Sequence, residues 1–134
     1  MTEAAKQEVL AAAKKLLDAF AANDLDGYFG SFAPEATFIF HSVAEPLRST
    51  AAYRAAWAEW EKAIDLRIVG CTCFDQDVRF VTPDVALYSH SVRVEASTTA
   101  GIEQRKERET VVFVRQPDGG WLALHEHLSK DPNP

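Results

Sequence analysis

The periodicity of this chain changes once, after Ile64, and that change orders everything else. Before it, apolar residues return every three or four positions; after it, they alternate with polar ones. Val9, Ala13, Leu16, Leu17 and Phe20 form one stripe of a first helix, which Thr2 can cap. A short second helix is expected from Asp24 to Phe32, with Leu25, Tyr28, Phe29 and Phe32 on one side and Pro34 ending it. The β-branched and aromatic stretch ATFIFHS (36–42) reads as a strand. Ser49 or Thr50 then caps a third helix that carries Tyr53, Trp57, Trp60 and Ile64 along one face. Strands are expected over 66–74, 77–81, 84–97, 105–115 and 121–129, the first two being one strand or two halves broken at Asp75-Gln76. Pro83-Asp84 and Pro117-Asp118-Gly119-Gly120 are turns, the second closing a hairpin. Helices gathered early and strands gathered late predict an α+β fold, with three N-terminal helices packed on a mostly antiparallel sheet.

A chain of 134 residues suits a single domain spanning 1–134 and can bury a core without staples. The formal charge of −6 and a pI near 5.1 argue against nucleic acid and anionic membrane surfaces as partners. The N-terminal segment has no long uncharged apolar run, so neither a signal peptide nor a membrane span is expected, and a cytoplasmic location is the default. Cys71 and Cys73 share a strand face; side by side they are poorly placed for a disulfide and too few for a four-thiolate site, so they read as ordinary buried thiols. No phosphate-cradling glycine loop and no serine-nucleophile motif occurs, and no cofactor is expected.

Two longer stretches carry a resemblance. FAPEATFIF (32–40), the aromatic helix after it, and RETVVFVR…DGGWLALHEHLS (108–129) resemble the SnoaL-like, ketosteroid-isomerase-like branch of the nuclear-transport-factor-2-like superfamily. The closing DGGWLALHEHLS is also similar to the end of the association domain of calcium/calmodulin-dependent kinases. The resemblance implies a cone: a curved sheet wrapped around a cavity, closed by the three helices, with the outer sheet face often forming a homodimer. It covers functions from isomerases, dehydratases and cyclases to pure assembly modules, so the site has to be argued from its residues. The catalytic aspartate of ketosteroid isomerases has no counterpart: Phe40 stands at the matching position, and residues 36–44 hold no carboxylate. Tyr28 lies in a helix that borders the cavity in such proteins. The third helix borders it too, so Tyr53, Trp57 and Trp60 serve as core and pocket wall together, and with Phe40 they would favour a flat apolar or aromatic ligand.

The polar candidates follow from strand parity. On 121–129 one face holds Leu122, Leu124, Glu126 and Leu128; the other holds Trp121, Ala123, His125, His127 and Ser129. The leucine face is the natural inward one, which sets Glu126 in the cavity as an acid/base and turns the histidines outward. A bulge would reverse this and make His125 and His127 the ligand contacts. A metal needs a third and usually a fourth ligand, and none is evident. On the fourth strand Glu109 or Arg108 could reach the cavity, the plainer alternative being a cross-strand charge pair. Arg93 sits in a polar stripe with Ser89, Ser91 and Glu95, opposite Tyr88, His90, Val92 and Val94. The association-domain resemblance makes it a candidate anion contact. His41, next to Phe40, is the candidate imidazole at the cavity mouth. Two functions stand open. One is binding or cofactor-free proton transfer on a small apolar or aromatic ligand, with Glu126 as acid/base, His41 assisting and Arg93 or Arg108 steadying developing negative charge. The other is a non-catalytic homodimeric association module.

Overall fold

A computed structural model describes residues 2–133. The elements run α1 (Glu3–Ala21), α2 (Leu25–Phe29), β1 (Phe32–Phe40), α3 (Thr50–Ile64), β2 (Arg67–Thr82), β3 (Val85–Thr98), β4 (Gly101–Arg115) and β5 (Trp121–Lys130). The five strands form one sheet in the order β1-β5-β4-β3-β2. β1 pairs with β5 in parallel and the other pairs are antiparallel, so the sheet is mixed.

Local chemistry sets the helix ends. The Thr2 hydroxyl accepts from the Ala5 amide, and Ser49 accepts from the Ala52 amide, each satisfying an orphan donor of a first turn. The α1 stripe buries Val9, Ala13 and Leu16 against the sheet. Asn23, at a left-handed φ of 56°, ties the α1–α2 turn to β2: its side chain donates to the Ile68 carbonyl at 2.7 Å and accepts from the Ile68 amide at 2.9 Å. α2 is shorter than the sequence suggests. It stops at Phe29, Phe32 already belongs to β1, and Pro34 lies within that strand rather than breaking a helix. Pro34 is tolerated because β1 is an edge strand and its register on β5 is interrupted between Phe32 and Thr37.

The long strands bend where residues are inserted. β2 is continuous through Asp75-Gln76, but its register on β3 shifts between Phe74 and Asp77, with Asp75 at φ 58°. β5 carries the insertion that matters most for the site. Val112 faces His125 and Phe113 faces Ala123, which leaves Leu124 unpaired. The alternation therefore flips at Leu124. Trp121 and Ala123 are buried on the helix side before it, and Glu126 is buried on that same side after it. Simple parity over 121–129 thus misplaces Trp121 and Ala123, which face the core, and Leu122, which does not share their face. Inward residues of β3 (Ala86, Tyr88, His90, Val92, Val94, Ala96) and β4 (Glu107, Glu109, Val111, Phe113) complete the concave face under α1 and α3.

Candidate functional site

α1, α3 and the concave sheet enclose a cavity of about 90 Å³. Its apolar wall comes from Leu16, Leu17 and Phe20 of α1, Tyr53, Trp57 and Trp60 of α3, and Phe40 of β1. Tyr28 of α2 lines it as well, its hydroxyl meeting that of Tyr53 at 2.8 Å. The rings pack edge-on, as aromatic quadrupoles prefer: Tyr28 against Tyr53 at 5.9 Å and 79°, and Phe40 against Tyr53 at 5.1 Å and 65°.

Three carboxylates face this aromatic wall: Glu107 and Glu109 from β4 and Glu126 from β5. All three side chains belong to buried residues. Glu107 and Glu109 are two apart on one strand and so share a face. Glu126 lies opposite Val111 while Glu109 lies opposite Leu128, so the two acids are diagonal neighbours across the β4–β5 ladder.

Each acid has a different partner, and the differences set its protonation. Glu109 Oε1 lies 2.8 Å from Nε2 of His90, its direct cross-strand neighbour on β3. Burial opposes ionisation of Glu109, but hydrogen bonds from Glu126 and His90 outweigh it and hold this carboxyl below the usual range. Burial alone would lower the His90 imidazole; contacts with Cys73 and Glu109 win and push it up to about 9. Glu126 goes the other way. Burial, the charge of Glu109 and the hydrogen bond shared with it raise its carboxyl well above the carboxylate range. Near neutral pH, Glu126 is therefore the protonated member of a carboxyl pair that shares one proton, with Glu109 the anion. Its Oε2 is buried without a hydrogen-bond partner. Glu107 is raised by burial, opposed by the exposed His41, whose Nε2 lies 2.6 Å from Glu107 Oε2. The tyrosines are pushed well above their ordinary values, first by burial and then by Glu126, so both remain neutral donors.

Of the residues picked from the sequence, Tyr28, Phe40, Tyr53, Trp57, Trp60, Glu109 and Glu126 meet at this cavity. His41 reaches it only through Glu107. The others lie elsewhere. Arg93 is exposed on the outer face, its guanidinium 5.8 Å from the Phe74 ring centre. Arg108, His125 and His127 line an open groove on that outer face with Ser89, Ser91 and Thr110. Neither arginine can steady charge inside the cone, and neither histidine contacts a ligand there, because odd and even positions of these strands look to opposite sides. His125 Nδ1 instead lies 2.8 Å from the Thr37 hydroxyl. Glu109 pairs with His90, not with Arg108. Glu107, Arg105 and Cys71 also line the cavity and were missed, as was His90 behind Glu109. Glu107 was visible in principle, since it shares a strand face with Glu109. Cys71 and Cys73 are free and only half-buried. Among the described residues, no group of three or more His, Cys, Asp or Glu side chains is arranged to hold a metal ion. Among the described residues, no helix is long and apolar enough to cross a membrane.

A helix-covered, curved mixed sheet around a cavity is the cone architecture of α+β proteins. The chain belongs to the SnoaL-like domain family, whose model matches residues 9–133. Solved structures of the same fold include an NTF2-like protein of unknown function in nutrient uptake from Rhodospirillum rubrum. It is 18% identical, with 92% of this chain and 98% of that one covered and a TM-score of 0.78. A ketosteroid isomerase-like protein from Erwinia carotovora atroseptica is 14% identical, covering 92% of this chain and 93% of that one, with a TM-score of 0.75. A Xanthomonas campestris protein named for the calcium/calmodulin-dependent protein kinase II association domain is 19% identical, covering 95% and 88%, with a TM-score of 0.77. At these identities the likeness is one of fold. No curated protein matches the chain.

Proposed function

We propose that this protein binds a small carbonyl compound in the cone and moves a proton on it without a cofactor. The observation that carries this reading is Glu126: a buried carboxyl among the residues lining an aromatic cavity, its proton affinity raised by burial and by the neighbouring Glu109. An association module has no use for such a group; pairing it with an arginine or replacing it with leucine would be more stable.

The chemistry pairs the acid Glu126 with a second carboxyl, Glu107, on the same concave face. On binding, the proton that Glu126 shares with Glu109 turns to the ligand carbonyl oxygen, and the one hydroxyl proton that the Tyr28–Tyr53 pair does not spend on itself supplies a second hydrogen bond. Glu107 receives the proton from the adjacent carbon, and His41 links it to solvent. Returning that proton to a different carbon completes an isomerisation. The volume limits the ligand: about 90 Å³ is well short of the roughly 300–1,000 Å³ of pockets that enclose drug-sized molecules. A single ring or a short enolisable ketone fits; a multi-ring polyketide exceeds the cavity.

The test is hydrogen exchange on candidate ligands. Small cyclic ketones and enones incubated with the protein in D2O should gain deuterium beside the carbonyl, followed by proton NMR, and Glu126→Gln should reduce the rate by about 10²-fold or more. Exchange no faster than in buffer, or exchange indifferent to Glu126→Gln, would overturn the assignment.

A further inference from the structure

The mechanism above leaves a line of titratable groups unused. It runs across the concave face from the cavity to the edge of the sheet: Glu109 on β4, His90 on β3, then Cys73 and Cys71 on the edge strand β2. Cys73 faces Val92 and Cys71 faces Val94 across the ladder, so both thiols lie on the inward face beside the buried His90. His90 is 4% exposed, and its Nε2 is held by Glu109 at 2.8 Å. Its Nδ1 is buried with no hydrogen-bond partner, and Cys73, opposite Val92, is its diagonal neighbour on the same face of the β2–β3 ladder.

From this geometry we infer that Cys73 is a nucleophilic thiol, with His90 as its acid/base partner and Glu109 orienting the ring, and that it takes soft carbon electrophiles such as α,β-unsaturated carbonyl compounds. The arrangement is that of an activated nucleophile: a thiol, an imidazole beside it, and a carboxylate fixing the far nitrogen of that imidazole. Cys73 is half-exposed on an edge strand, so a reagent can reach it. Cys71 is its neighbour two positions along on the same strand face. A disulfide is not the expected product, because two residues two apart on a strand sit about 6.7 Å apart, beyond the preferred spacing of roughly 5.5–6 Å.

The step balances without an oxidant. The Cys73 sulfur adds to the β-carbon and forms the C–S bond. The C=C electron pair moves to the carbonyl oxygen as an enolate. The imidazolium of His90 then delivers a proton to the α-carbon, and nothing leaves.

The groups that face this thiol are Cys71 on its own strand, His90 and Tyr88 on β3, and Glu109 on β4; Asp18 of α1 acts on Cys71. The experiment is brief treatment of the native protein with N-ethylmaleimide from pH 5.5 to 9.5, read by intact mass and peptide mapping. Cys73 should be modified before Cys71. Its rate should rise with an inflection well below the ordinary thiol value of about 8.5. At pH 6.5 it should exceed the rate of a free thiol by about tenfold or more, the yield of one unit of lowered proton affinity. His90→Gln should remove most of that advantage at pH 6.5 and little of it at pH 9.5. Should that variant fail to fold, the wild-type pH profile and Cys71→Ala, in which Cys73 is the one remaining cysteine and should still outpace a free thiol at pH 6.5, decide the matter. First modification at Cys71, an inflection near that of an ordinary thiol, or no reaction without denaturant would each overturn the inference.

Discussion

β5 places Glu126 on one face and His125 and His127 on the other, adjacent in sequence and opposite in circumstance. Inside the cone the sheet carries Glu107, Glu109, Glu126 and His90, all buried, and burial with mutual contact drives their proton affinities apart. Outside, the same strands carry Arg93, Arg108 and His127, exposed, and the half-buried His125. Titratable side chains are common to both faces. What differs is access to water, which screens charges outside and leaves neighbours to decide protonation inside. The buried acids therefore all lie on one face of the sheet.

The contrast is sharpest in β1, where Phe38 is 0% exposed and its neighbour Ile39 is 41% exposed. Phe38→Ala should lower stability by about 3–5 kcal/mol, through lost burial and the cavity left behind. Ile39→Ala should cost under about 1 kcal/mol. Denaturant titration of the pair measures both, and equal losses would mean that the two faces do not differ as described.

Glu109→Gln comes next. It leaves the buried His90 ring without its anionic partner and should cost about 2–3 kcal/mol at neutral pH. The sign with pH is definite. His90 is raised to about 9, so the stability from its pairing is full below the unfolded histidine value near 6.5 and fades as pH climbs through 9. Thermal melts from pH 6 to 10 should show the wild type losing stability over that window and the variant losing less. Parallel curves would remove His90 as a charged partner.

Glu126→Gln tests the protonated member of the pair. A carboxyl raised by burial contributes stability below its unfolded value near 4.5, lost as pH rises through its folded value. The amide cannot ionise and can still donate to Glu109. The variant should therefore equal or exceed the wild type at pH 8, by about 1–2 kcal/mol, while losing ligand exchange. A variant less stable than the wild type at pH 8 would argue that Glu126 is ionised and paired.

The smallest effects belong outside. His127→Ala should change stability by no more than about 0.5 kcal/mol. His125→Ala, which gives up one hydrogen bond to Thr37, should cost about 1 kcal/mol. Either variant affecting ligand exchange more than Glu126→Gln would invert the assignment of faces.

Much of the architecture was legible because it rests on local rules. The caps at Thr2 and Ser49, the α1 stripe and the turn at residues 117–120 each depend on a few neighbouring residues. The inward set of α3, Tyr53 and Trp57, follows from helical spacing in the same way. The strand pattern also carried Glu126 to the cavity side, and left open whether Glu109 or Arg108 reaches it. Parity failed where backbone insertions intervene, since a single unpaired residue at Leu124 exchanges the faces of everything before it. The inward placement of Glu126 and of Trp121 cannot both follow from simple alternation; only the bulge reconciles them.

The sequence by itself determined the order of helices and strands, the helix ends and the aromatic wall, because periodicity and capping act over a turn or two of chain. The tertiary structure alone decided which acid keeps its proton. Glu126, Glu109, His90 and Cys73 come from four different strands, and their protonation depends on distances across the ladder and on the loss of water, neither of which is written in the spacing of any one segment.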